Sequence, residues 1–349
     1  VAFLFEKLRD NVFVVVQDEE FGRKIADDIN FIAGEDVVFE FIPDEDMLVD
    51  DIDVMKLKLS FEIFRGRKIF LTTAKHIQER ILVSKEINSM SFRLRVGEKV
   101  DYDEFISYLI SNGFEKKRYV EARGDYSIRG SIIDVFGFTG ELPLRIEIFD
   151  NEVVSIREFD VFTQRSIRLL SEAIVVPKLN GTGFEAVEMY KMFSDSVCVI
   201  EDIELISREI DEGVFGEMKF KKFINVVRFA TDEIYEDEID FSAKRQPFFN
   251  SSMTLFSDEI YKLLKDGYEV FLLCEGEEQM SRMRELLEEI LGFENVMMLR
   301  FYPRSLNFGF IGMRDKVAVL TEHEVFNRVK PRNFLKSRKF RGITLHELN

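Results

Sequence analysis

The sequence predicts an α/β protein in which a parallel-sheet domain is interrupted by an α+β antiparallel insertion and followed by a small α/β domain. Three observations predict this class. Continuous apolar strands alternate with helices in two stretches of the chain. A run of hairpin-linked strands separates these two stretches. A compact βαβ pattern comes near the end of the chain. The predicted bounds are 1–91 and 178–249 for the two parts of the first domain, 92–177 for the insertion, and 250–349 for the last domain.

Residues 1–91 alternate between strand-like and helix-like segments. Apolar runs at 11–16, 37–42 and 68–73 predict buried strands, and apolar residues that recur every three or four positions predict a helix over 21–31. Strands that are apolar throughout are covered on both faces, so we expect them to form a parallel sheet.

From residue 92 the pattern becomes that of an antiparallel sheet. Asp101 is the predicted N-cap of a helix over 102–111, and strands separated by turn residues continue to Pro177. The segment therefore predicts an inserted domain with one helix and several hairpins.

The strand within residues 142–149 carries the most informative pattern of the chain. Leucine and isoleucine occupy every second position, so Arg145, Glu147 and Phe149 are expected to share the opposite face. Arg129 is expected on an adjacent strand. Arginine and aromatic side chains dominate the binding energy of protein interfaces, and this face is therefore predicted to bind another protein.

After the insertion the α/β pattern returns. The sequence predicts a helix over 184–193, strands at 196–200 and 225–229, and a helix from Ile203 between those strands. These elements are expected to complete the interrupted first sheet. An acidic, weakly patterned segment, residues 231–245, is predicted to be a linker.

The last domain is predicted from a second α/β pattern. Its expected elements are strands at 268–274, 296–299 and 316–320 and a helix over 277–291. A basic tail, residues 328–341, follows.

Composition limits the possible functions. The chain has 349 residues, 46% of them hydrophobic, which is enough for several cores. No apolar run approaches the roughly 20 residues of a membrane helix. Cys198 and Cys274 lie in strand-like runs and predict buried free thiols, which favours a cytoplasmic location. The net charge of −17, from 48 basic and 65 acidic residues, opposes binding to DNA phosphates.

Motifs for catalysis and cofactor binding are weak. The phosphate loop Gly-x-x-x-x-Gly-Lys-Ser/Thr does not occur, so no ATPase activity is expected of this chain. Glu201 and Asp202 end a strand, where an ATPase would place acids for Mg²⁺, but their order is reversed and an ordinary solvated strand end is the preferred interpretation. Residues 181–186 fit Gly-x-Gly-x-x-Ala, yet four residues separate them from the preceding strand, whereas a dinucleotide turn is tight.

Neither a cofactor nor a metal is expected to bind. The 3 histidines are scattered and the cysteines do not have ligand spacing. We also find no pattern typical of a Ser-His-Asp or Cys-His nucleophile.

Two segments carry a family resemblance. Residues 124–167, with Gly-Asp-Tyr-Ser-Ile-Arg-Gly-Ser-Ile-Ile-Asp-Val-Phe and Glu-Leu-Pro-Leu-Arg-Ile-Glu-Ile-Phe, resemble the second domain of the bacterial transcription-repair coupling factors (Mfd) and, more distantly, UvrB. Residues 308–328 resemble a later domain that the coupling factors have and UvrB lacks. The order of the two segments favours the N-terminal region of the coupling factors.

This resemblance implies a fold and a partner. The first domain would be a degenerate UvrB-like sheet of the P-loop type, starting just past the position of the phosphate loop. The insertion would dock onto UvrA, and the family contact residues correspond to Arg129, Arg145 and Phe149. The stretch that corresponds to the DNA-inserting hairpin of UvrB, residues 43–53, is acidic and has no tyrosine, so lesion binding is not expected.

The implied function is a non-catalytic module that recruits UvrA to stalled RNA polymerase in transcription-coupled nucleotide excision repair. RNA polymerase and DNA would be bound by other parts of the full-length protein, which resembles an ATP-dependent DNA translocase. Two alternatives stay open. One is a UvrB-like ATPase with a phosphate loop upstream of Val1, and the other is a DNA-binding module that acts through the basic tail.

Overall fold

The computed structural model describes residues 2–7, 10–47, 49–83, 90–178, 185–227 and 239–328. The chain divides into two compact units, Val1–Thr231 and Asp232–Asn349. The predicted boundary followed residue 249, whereas a strand at Ala243–Arg245 already pairs within the sheet of the second unit. Of the predicted linker, residues 231–238 lie outside the described part of the chain.

The first unit begins with strands that alternate with helices, as predicted. Its first elements are α1 (Ala2–Lys7), β1 (Val12–Val16), α2 (Glu19–Ala33), β2 (Val38–Phe41), α3 (Val49–Arg65), β3 (Ile69–Thr73), a 3₁₀ turn (Ala74–His76) and β4 (Arg80–Val83). Asp18 caps the start of helix α2, since its carboxylate accepts a hydrogen bond from the Phe21 backbone amide. Gly34 caps the end with a left-handed backbone, φ 74°.

The middle of the first unit combines one helix with a six-stranded, mostly antiparallel sheet and a separate two-stranded antiparallel sheet. Its elements are β5 (Phe92–Arg95), α4 (Tyr102–Ser111), β6 (Glu115–Lys116), β7 (Asp125–Arg129), β8 (Ile132–Val135), β9 (Leu144–Phe149), β10 (Glu152–Phe159), β11 (Ser166–Leu170) and β12 (Glu172–Val175). The predicted cap of α4 is confirmed, since the Asp101 carboxylate accepts from the amides of Asp103 and Glu104.

The rest of the first unit returns to the α/β pattern, and its last two strands join the parallel sheet. Its elements are β13 (Glu185–Glu188), α5 (Met189–Met192), β14 (Val197–Glu201), α6 (Ile203–Ser207), α7 (Glu212–Glu217) and β15 (Lys222–Val226). The helix predicted over 184–193 is wrong in its first half, because β13 pairs antiparallel with β4. The predicted strand at 225–229 begins earlier, at Lys222.

The parallel sheet of the first unit has the order β15-β14-β1-β3-β2. It therefore combines strands from before and after the antiparallel sheet in sequence, as expected for an interrupted domain. Strands β1 and β3 are buried at every position, in agreement with a sheet covered on both faces.

The second unit is a five-stranded mixed sheet in the order β16-β19-β20-β17-β18. Its elements are β16 (Ala243–Arg245), α8 (Met253–Lys265), β17 (Glu269–Leu273), α9 (Glu277–Leu291), α10 (Phe293–Val296), β18 (Arg300–Tyr302), β19 (Phe310–Gly312), β20 (Val317–Thr321) and α11 (Glu322–Val325). The helix predicted over 277–291 is confirmed at both ends. The strand predicted at 296–299 is wrong, since α10 ends at Val296 and the strand follows it.

Candidate protein-docking face

The candidate site lies on one face of a six-stranded sheet with the order β11-β10-β9-β8-β7-β6. The other face of this sheet is covered. Ile133, Ile146 and Ile148 are buried there in one cluster with Phe105 and Leu109 of helix α4. Because successive side chains of a strand point to opposite faces, Asp134, Arg145 and Glu147 lie on the face away from this core.

Two tight turns fix the register of the strands that carry the site. Gly130 takes a left-handed backbone, φ 62°, in the two-residue connection between β7 and β8. Asp150 and Asn151 both have positive φ, 52° and 56°, between β9 and β10, which is the pattern of a type I′ hairpin turn. Phe149 immediately precedes this second turn.

Arg129 and Arg145 converge on one buried carboxylate. Asp134 is 1% exposed and accepts from Arg145 through two parallel bonds, Nε to Oδ1 at 2.7 Å and Nη2 to Oδ2 at 2.9 Å. Arg129 Nη2 donates to the same Oδ2. Hydrogen bonding to Asp134 raises the pKa of Arg145 above its usual value, so the guanidinium stays charged.

The prediction that Arg129 lies on a strand adjacent to Arg145 is wrong. Strand β8 separates them, pairing with β7 on one side and β9 on the other. The two arginines are brought together by the side chain of Asp134, which pairs with Arg145 in the register and reaches Arg129 diagonally. Sequence reasoning missed Asp134, although a single charged residue within the apolar strand Ile-Ile-Asp-Val was a signal that its partners are cations.

The two arginines differ in their exposure and in the number of hydrogen bonds that they donate. Arg145 is 17% exposed, donates through Nη1 to the Gln164 carbonyl at 3.0 Å, and lies over the Phe159 ring with 4.4 Å to its centroid. Arg129 is 45% exposed and uses one terminal nitrogen on Asp134. Arg129 is therefore the more accessible cation.

Phe149 is an exposed apolar residue of this face. Its ring is 70% exposed at the end of β9, although a phenylalanine in a strand is usually buried. A partner that covered the ring would remove a large apolar surface from water, a favourable change.

Three other charged residues of the same domain have contacts within it. Glu147 accepts from Ser155 Oγ at 3.1 Å and from Arg157 at 3.5 Å. Arg123 donates to the Gly140 carbonyl at 3.2 Å and lies over the Phe136 ring. The Asp125 carboxylate accepts from the amides of Glu121 and Ala122, so it orders a loop.

The other sequence candidates either have local contacts in the described part of the chain or lie outside it. Asp202 is the N-cap of helix α6. Glu201 Oε2 accepts a hydrogen bond from the backbone N–H of Gln17 at 3.4 Å. Within the described residues no cluster of three or more His, Cys, Asp or Glu could hold a metal ion. The glycines at 181 and 183 and all but the first residue of the basic tail lie outside the described residues.

The two cysteines are buried free thiols, as predicted. Burial raises the pKa of both, that of Cys274 to about 12. Among the helices that the structure describes, none has the length and apolar character needed to cross a bilayer.

Comparison with known families places the candidate face inside a named domain. Residues 92–180 match the family model described as UvrB interaction domain. The match starts at the residue predicted to open the insertion, and it contains Arg129, Asp134, Arg145 and Phe149.

Two curated relatives are transcription-repair-coupling factors. A transcription-repair-coupling factor of Staphylococcus aureus (strain USA300) is 34% identical over 149 residues, which cover 40% of this chain and 12% of the relative. That of Staphylococcus haemolyticus (strain JCSC1435) is 52% identical over 73 residues, or 21% of this chain and 6% of the relative. The matches thus span a small part of the relatives' length. The expected resemblance to the N-terminal region of the transcription-repair coupling factors is confirmed.

Proposed function

We propose that this chain is a non-catalytic module of a transcription-repair coupling factor, which recruits UvrA to stalled RNA polymerase in transcription-coupled nucleotide excision repair. The observation that carries the proposal is one sheet face within the matched domain, on which Asp134 joins Arg129 and Arg145 and strand alternation places the exposed Phe149. Such a combination of a cationic pair and an aromatic ring is typical of the central residues of protein interfaces.

The three residues would contribute to docking in different ways. Phe149 would enter an apolar pocket of UvrA, since its ring is 70% exposed. Arg129 would donate to a carboxylate or carbonyl group of UvrA, since its side chain is 45% exposed. Arg145 would supply positive charge from a fixed position, because its guanidinium is already bonded to Asp134 and to the Gln164 carbonyl.

The parallel sheet would act as a scaffold for the docking domain. We interpret it as a degenerate UvrB-like sheet, into which the UvrA-binding domain is inserted between β4 and β13. Without a Gly-Lys-Ser/Thr loop the chain lacks the amide groups and the lysine that hold a triphosphate, so it would not hydrolyse ATP. The translocase that acts on RNA polymerase and DNA would belong to the rest of the full-length protein, in the cytoplasm.

The test is a calorimetric titration of UvrA into the full chain and its variants. Arg129→Ala, Arg145→Ala and Phe149→Ala should each weaken binding by about 1–3 kcal/mol. Phe293→Ala is the matched control, because Phe293 lies in the second unit and is 65% exposed. If all three variants bind UvrA as the wild-type chain does, the docking face is assigned wrongly.

Two further measurements separate the proposal from its rivals. ATP turnover by the pure chain above background would favour the UvrB-like ATPase. Retention of duplex DNA by the chain, lost when residues 328–349 are removed, would favour a DNA-binding module. The net charge of −17 argues against it.

A further inference from the structure

We infer that Asp134 is a positioning residue of the docking face, which holds the guanidinium groups of Arg129 and Arg145 ready for a partner. This inference rests on the proposed docking function. It adds a residue that the partner does not touch, since the Asp134 side chain is 1% exposed.

The geometry fixes Arg145 from three directions. Asp134 accepts two parallel bonds from Nε and Nη2, at 2.7 and 2.9 Å, and the Gln164 carbonyl accepts from Nη1 at 3.0 Å. The guanidinium carbon of Arg145 lies over the Phe159 ring, 4.4 Å from the ring centroid. Arg129, on strand β7, donates to Oδ2, the oxygen that also accepts from Arg145 Nη2.

One carboxylate between two guanidiniums leaves a net positive charge. Asp134 therefore orients both arginines and neutralises only one of their two positive charges. Arg129, which is 45% exposed, presents positive charge to solvent. A buried carboxylate without cationic partners would be strongly unfavourable, so the three groups hold one another in place. Because long side chains lose rotamer freedom when a partner immobilises them, arginines that are already ordered bind more tightly.

The decisive variant is Asp134→Asn in the full chain, with its affinity for UvrA measured by calorimetry. Asparagine has one acceptor oxygen and an NH2 group in place of the second, so it cannot keep both parallel bonds from Arg145 and the bond from Arg129, and the dissociation constant should rise by about tenfold. Glu158→Gln is the matched control: Glu158 also pairs with an arginine, Arg168, in the same sheet, but its register opposite Leu144 puts it on the other face.

A double-mutant cycle with Arg129→Ala tests whether Asp134 acts through the arginines. We expect the effect of Asp134→Asn to shrink in the Arg129→Ala background, because one of the two groups that it positions is gone. An effect of equal size in both backgrounds would show that Asp134 does not act through Arg129 and would overturn the inference. Unchanged affinity in Asp134→Asn, with weaker binding in the arginine variants, would overturn it too while leaving the docking function intact. Unchanged affinity in the arginine variants would remove both.

A measurement on the free wild-type chain covers the case in which Asp134→Asn does not fold. The Nε–H of Arg145 should exchange with water more slowly in arginine-labelled NMR spectra than that of Arg157, whose contact with Glu147 runs through Nη2 at 3.5 Å. Equal exchange rates would mean that Arg145 is not held before binding, contrary to the inference.

Discussion

At the scale of single residues, Arg129 and Arg145 share a carboxylate but not a role. Arg145 is 17% exposed and bonded on three nitrogens, whereas Arg129 is 45% exposed and bonded on one. Removal of Arg145 leaves the buried Asp134 with a single partner, and loss of bonds to a buried charged group is costly. Removal of Arg129 breaks a more exposed pair, which contributes little to folding.

This difference predicts distinct stabilities for two alanine variants. Arg145→Ala should lower the free energy of unfolding by about 1.5–3 kcal/mol. Arg129→Ala should change it by less than about 1 kcal/mol. Urea unfolding followed by circular dichroism measures both, with Arg168→Ala as the control for an exposed arginine of the same sheet, 65% exposed. Equal losses for Arg129 and Arg145 would contradict the assignment of Arg145 to the fixed position.

At the scale of elements, local signals decided how much of the structure could be predicted. Helices α4 and α9 were predicted at their observed ends, because a capping aspartate or an unbroken amphipathic period defines each of them. The segment 184–193 was misread because Glu-Ala-Val-Glu fits a helix locally, while its pairing with β4 is a tertiary contact.

Strand alternation alone predicts only part of the candidate site. The common face of Arg145 and Phe149 follows from their spacing along one strand. The convergence of Arg129 and Arg145 on Asp134 depends on the order β7-β8-β9, which no local pattern specifies.

His76, which follows strand β3, should make the stability of the first unit depend on pH. His76 is 7% exposed, its Nδ1 is 2.9 Å from Thr73 Oγ1, and its ring meets the edge of Phe41. Burial lowers the pKa of His76 below its ordinary value of 6.5. Nearby charges have smaller, opposing effects on this pKa: Glu19 and Glu79 raise it, and Lys75 and Arg23 lower it.

The folded chain therefore holds a neutral imidazole that the unfolded chain protonates near pH 6.5. Stability from this group is fully present above that pH and should be lost progressively as the pH falls below it. Unfolding free energies measured between about pH 7.5 and 5.5 should fall toward the acid end, with a shallower slope in His76→Gln. Identical slopes in the two proteins would show that His76 does not titrate between the folded and unfolded states.

At the scale of the whole molecule, the chain consists of two units that each contain their own core and one buried cysteine. Cys198 lies in the cluster of the first unit with Phe13 and Phe193, and Cys274 lies in that of the second unit with Phe256 and Leu272. Both thiols are 0% exposed, and burial raises the pKa of each, so very little thiolate forms at neutral pH.

Each cysteine should therefore report the opening of its own unit. In the native chain we expect neither thiol to react with a disulfide reagent at an appreciable rate, and both to react once denaturant exposes them. Cys198→Ala leaves the reporter of the second unit and Cys274→Ala that of the first, so the denaturant dependence of labelling in each gives the stability of one unit. Rapid labelling of either variant without denaturant would mean that the core around the remaining cysteine opens readily. In that case the scaffold proposed for the docking face, or the fold of the second unit, would need revision.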